Sequence, residues 1–124
     1  MIVDLQRSDV VNLFKSANLF ILASHVEYSP LVLFEACAAG TPFLASSAGN
    51  SSEIVLWTGG GRVIPRHKET SAVLSISVLA NEMEDMLSDS KKLRAMGQAA
   101  RTSIWDKGFT WDQIVQEYRR LMLR

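Results

Sequence analysis

The chain has 124 residues, 48% hydrophobic and 21% charged, which is the scale of one domain with a real apolar core. Thirteen basic and thirteen acidic side chains cancel, which removes the general electrostatic drive for nucleic-acid or anionic-membrane binding. A single cysteine, Cys37, excludes an internal disulfide framework and a cysteine-rich zinc site, and within its apolar run it reads as a small buried packing residue.

In chain order, MIVDL reads as a short strand and SDVVNLFKSA as a helix starting near Ser8 or Asp9. NLFILAS is a continuous apolar run of the kind buried on both faces of a parallel sheet. The loop HVEYS leads into a helix from Pro30 to Ala39, with Ser29 as its expected N-cap, proline in its first turn and Gly40 as its left-handed stop. TPFLAS is a second apolar strand, SAGNSSEIV a loop with at most one helical turn, and GGGRVIP a last short strand whose glycines make the turn into it. Residues from about Ser71 to Leu87 repeat apolar side chains at helical spacing. Asp89 then caps a helix with Leu93, Met96, Ala100 and Ile104 on one face, stopped by Gly108. Thr110 and Gln113 form a T-x-x-Q capping box for the final helix, with Phe109 placed to staple onto Ile114; Arg119, Arg120 and Arg124 read as a solvated face. The alternation implies a single α/β domain over residues 1–124, with a small parallel sheet between helical layers. No run approaches the ~20 apolar residues of a membrane span, and no signal-peptide pattern opens the chain. With the lone cysteine, this gives a cytoplasmic expectation.

Open parallel sheets bind ligands beyond the carboxyl ends of their strands. The loop after NLFILAS lies there and holds Glu27, Tyr28 and Ser29, ahead of a helix whose first N–H groups, at Leu31 and Val32, are open to an anion. Glu35 is the odd residue of that helix, a carboxylate in an otherwise apolar run that is expected to be largely buried. Side chains lean toward the helix N-terminus, so Glu35 aims at the same opening, where two hydroxyls of a ribose suit it better than a phosphate. The competing reading is a solvated Glu35, or one paired with a basic residue, and a Glu27 that is an ordinary loop carboxylate. His25 in the same loop reads as a partly exposed histidine.

The E-x7-E stretch EYSPLVLFE, followed by ACAAGTPFLASSAGNSSEIV, resembles the nucleotide-sugar site of the retaining glycosyltransferases of GT-B fold, the group 1 family. The likeness runs through SDVVNLFKSANLFILAS before the motif and the closing helices with their F-T-W start after it. It implies a Rossmann-like three-layer domain, the donor-binding C-terminal part of such an enzyme, truncated at its start and lacking the N-terminal acceptor domain. Glu35 matches the ribose-binding glutamate. Glu27 matches the glutamate at the donor sugar and is the candidate catalytic residue. Pro30, Leu31 and Val32 match the helix start that meets sugar and diphosphate, while Tyr28 and Ser29 replace the commoner glycine and phenylalanine, so their role rests on backbone. Gly49 and Glu53 match the G-G-x-x-E loop, with Asn50 in place of its second glycine.

The function this implies is metal-independent transfer of a hexosyl group from a nucleoside-diphosphate sugar to a glycan, lipid or other acceptor with retained configuration. No further cofactor is implied. The chain alone is expected to be inactive, prone to self-association through an uncovered sheet edge, and without a nucleic-acid partner. Peripheral membrane contact belongs to the full-length enzyme. The alternatives are a non-catalytic nucleotide-binding or regulatory module and an unrelated flavodoxin-like domain.

Overall fold

Alternation of short apolar runs with amphipathic ones produces nine elements in the computed structural model, which describes residues 4–64 and 75–123. They are α1 (Arg7–Ser16), β1 (Phe20–Leu22), α2 (Leu31–Ala39), β2 (Phe43–Ser46), α3 (Ser51–Thr58), β3 (Gly61–Ile64), α4 (Ile76–Ser88), α5 (Ser90–Asp106) and α6 (Trp111–Met122). The strands form a parallel sheet in the order β1-β2-β3, with Phe20 opposite Phe43 and Phe43 opposite Gly61. Central β2 is buried along its whole length, as a strand covered on both faces must be.

Alternation along β2 divides the core. Phe43 and Ala45 face a cluster made by Leu33 and Cys37 of α2, Ile54 of α3, and Ala100 and Ile104 of α5. Leu44 points the other way, into a cluster with Ile64, Met86 of α4 and Leu93 of α5. Helix α5 thus serves both layers, and it passes from one to the other at Gly97. A Cβ built there would lie 2.1 Å from the Gly40 carbonyl oxygen and 3.1 Å from Pro42 Cδ. Only glycine lets α5 pass so close beneath the chain that enters β2.

Several sequence expectations need correction. Pro30 is the N-cap of α2, not a residue of its first turn, and Ser29 lies outside the helix; the cap position has extended backbone, which proline's fixed φ (here −73°) supplies. The stretch read as a loop with one helical turn holds the eight-residue helix α3, because Ile54 and Thr58 sit one turn apart and both bury. Asp4 and Leu5 are not in a strand, and the rest of the first expected strand lies outside the described residues. So do residues 71–74 of the expected helix that appears as α4, and Arg124. The helix read as largely buried keeps Leu31 and Ala38 exposed. Gly59 ends α3 in the left-handed conformation. Gly60 and Gly61 serve packing rather than a turn: a Cβ on Gly61 would lie 2.2 Å from the Phe43 carbonyl oxygen. Gly40 stops α2 with φ of 81°, and the Thr110–Gln113 capping box forms in both directions, as expected.

Candidate functional site

Parallel β1 and β2 end side by side, so the loop from Ala23 to Pro30 and the loop from Ser47 to Asn50 open at one end of the sheet. The second loop and the end of β2 are hydrogen-bonded onto the backbone of the first loop. The Asn50 N–H donates to the Tyr28 carbonyl oxygen at 3.1 Å, and Ser46 Oγ donates to the Ser24 carbonyl oxygen. Gly49 has a φ of +58°, and a Cβ there would lie 2.5 Å from the Tyr28 carbonyl oxygen and 2.9 Å from that of Glu27. A glycine is required by both conformation and contact. Glu27–Tyr28 and Gly49, far apart in the chain, are therefore in contact.

Helix α2 begins at this junction. Its N-cap, Pro30, has no side chain able to cap, and the Leu33 N–H turns back to the Pro30 carbonyl oxygen at 3.0 Å. The N–H groups of Leu31 and Val32 have no partner within the helix and carry its positive dipole end. In the loop before the helix Glu27 is half-buried, whereas Tyr28 is 93% exposed and Ser29 is exposed, so those two contribute backbone here rather than side chains. Glu53 lies on the first turn of α3 and is exposed. His25 is exposed as well.

Glu35 lies one turn into α2 and is half-buried, its side chain 36% accessible. Its carboxylate is paired: Arg7 Nη2 donates to Oε1 at 2.7 Å. The competing expectation, a basic partner for Glu35, is therefore met in the structure. The pairing holds the Arg7 guanidinium's pKa above its ordinary value, mainly through that hydrogen bond. Glu35 and Arg7 together border a largely apolar cavity of about 430 Å³ with Phe34, Trp105, Phe109 and Trp111 among its walls.

Arg7, Ser47 and Asn50 were not among the sequence candidates. Ser47 Oγ and Asn50 Oδ1 are buried without a hydrogen-bond partner among the described residues. Asn50 occupies the N-cap of α3 without capping it. Its departure from the family's glycine was the signal available in the sequence. Arg7 gave none, because its meeting with Glu35 depends on how α1 packs beside α2.

The sequence profile of the family described as "Glycosyl transferases group 1" matches residues 1–103. The chain belongs to this family. Among curated relatives, this group 1 chain is 30% identical over 106 residues to D-inositol 3-phosphate glycosyltransferase of Gordonia bronchialis, covering 86% of itself and 21% of that protein. It is 26% identical over 119 residues to N-acetyl-alpha-D-glucosaminyl L-malate synthase of Bacillus anthracis, covering 94% of itself and 28% of that protein. Its fold is similar to that of sucrose-phosphate synthase from Thermosynechococcus elongatus, with a TM-score of 0.77 at 26% identity over 98% of this chain and 30% of that one. The chain thus spans about a quarter of the length of the relatives it matches. No helix among the described residues is long and apolar enough to cross a membrane.

Proposed function

We propose that this group 1 chain supplies the donor subsite of a glycosyltransferase that moves a hexosyl group from a nucleoside-diphosphate sugar, with retention and without a metal ion. The observation that carries the reading is the docking of the Gly49–Asn50 loop onto the backbone of Glu27 and Tyr28 at the open N-terminus of α2. In this reading the Leu31 and Val32 N–H groups receive the diphosphate and stabilise the negative charge that grows on it as the glycosidic bond breaks. Glu35 accepts hydrogen bonds from the ribose hydroxyls, and Glu27 those of the donor sugar, orienting its anomeric carbon toward the acceptor. Glu53 and the Gly49 backbone close the sugar side.

The acceptor and the second wall of the cleft are assigned to an acceptor-binding domain additional to the one described, in keeping with the length of the relatives. Transfer is accordingly expected only when such a domain is present. Binding is expected without it. Titrating the chain with uridine, guanosine and adenosine diphosphates and their sugars, followed by ligand-observed NMR, tests the reading directly. Saturable binding of at least one supports it. No binding at millimolar concentration by a chain with intact helical circular dichroism contradicts it.

A further inference from the structure

Glu35 is asked to bind hydroxyl groups, yet it already has a partner in Arg7, the first residue of α1. The pair is open to solvent, with Arg7 68% accessible, so its contribution to stability is small. What it does to the carboxylate is more specific. One guanidinium nitrogen meets one oxygen, Oε1, in the one hydrogen bond recorded between the two side chains. A two-pronged clamp would occupy both oxygens; this single contact leaves Oε2 and further lone pairs for incoming donors. Its neighbours on α2 around the same cavity, Leu31, Phe34 and Ala38, offer the carboxylate no side-chain donor, and Arg7 is the partner it has among the described residues.

We infer that Arg7 is a positioning residue for Glu35: it holds Oε1 and leaves Oε2 directed at ribose hydroxyls. This rests on the donor-subsite reading above. A latch, in which Arg7 would have to leave before a ribose could bind, requires both oxygens to be taken, and among the described residues Oε2 has no partner.

The test compares the full chain with its Arg7→Ala and Arg7→Lys variants, using uridine diphosphate, 2′-deoxyuridine diphosphate and inorganic pyrophosphate as probes, with the guanosine or adenosine pair in place of the uridine pair where that is the nucleotide bound. Circular dichroism controls for folding, which an exposed side chain should not disturb. The unaltered chain is expected to prefer the ribose over the deoxyribose nucleotide. In Arg7→Ala that preference should fall by about tenfold, the scale of one charge-assisted hydrogen bond, with pyrophosphate affinity nearly unchanged. Arg7→Lys should recover part of the preference, since lysine restores a donor and a charge. An unchanged preference in Arg7→Ala overturns the inference, as does tighter nucleotide binding, which would mark a latch. Equal losses for all three probes overturn it too, because Arg7 would then act on phosphate. If the unaltered chain binds none of the uridine, guanosine and adenosine diphosphates, the donor-subsite reading itself has failed; if it binds one with a ribose preference that Arg7→Ala leaves intact, only the role of Arg7 has.

Discussion

Glu35 and Gly49 carry the proposed site in different ways, one through a charge and one through the lack of a side chain. Replacing Glu35 with alanine should weaken a ribonucleoside diphosphate by about tenfold or more while leaving pyrophosphate binding nearly intact, because only the ribose loses its acceptor. Isothermal titration of both ligands checks this, and equal losses would argue against a ribose contact. Gly49→Ala forces a Cβ into the Tyr28 carbonyl oxygen. It should destabilise the fold by about 1–3 kcal/mol, read from urea unfolding, and should also lower donor affinity. Cys37 needs no site to explain it. It is fully buried against the sheet, and burial pushes its thiol pKa up. Its reaction with a thiol reagent should be slow in the native chain at neutral pH and fast in denaturant.

At the scale of elements, two helices are held by contrasting means. Helix α5 passes the chain entering β2 at Gly97, and alanine there meets backbone that cannot yield easily. A loss of about 1–3 kcal/mol is expected, with a midpoint several degrees lower in thermal unfolding. Helix α6 buries no side chain, and it is fixed at its start by the Thr110–Gln113 box and by Gln113 Nε2 donating to the Trp105 carbonyl oxygen at 3.0 Å. Thr110→Ala should therefore remove about 1 kcal/mol of local helix stability, seen as faster amide exchange in α6 with little change in core unfolding. The box was legible because its signal is local, a threonine and a glutamine at fixed spacing. The start of α2 was misread by one position, because Ser29 and Pro30 both suit a helix entry and tertiary packing decides between them. Helix α3 was underestimated for a similar reason: its serine-rich opening looks like a loop, and only burial of Ile54 and Thr58 makes it helical.

At the scale of the molecule, the parallel sheet between helical layers was readable from alternating patterns, since apolar strands and amphipathic helices leave few other ways to cover both faces. The candidate site was readable only as separate pieces. Glu27, Glu35 and Gly49 were found by type and motif, whereas the contact of the Gly49 loop with Tyr28, and of Arg7 with Glu35, depends on long-range packing that spacing does not encode. Among the described residues β1 and β3 each pair on one side only, and α6 exposes Trp111, Tyr118, Leu121 and Met122. Concentration-dependent self-association is expected from these surfaces, with sedimentation velocity as the check. The central claim is the location of the donor site, and amide shift mapping of the isotope-labelled chain during titration with a nucleoside-diphosphate sugar tests it most directly. The account predicts the largest changes at Leu31, Val32 and Gly49, with Glu35 following. Changes confined to the cavity walls around Trp105 and Trp111, or none at millimolar ligand with the fold intact, would contradict it.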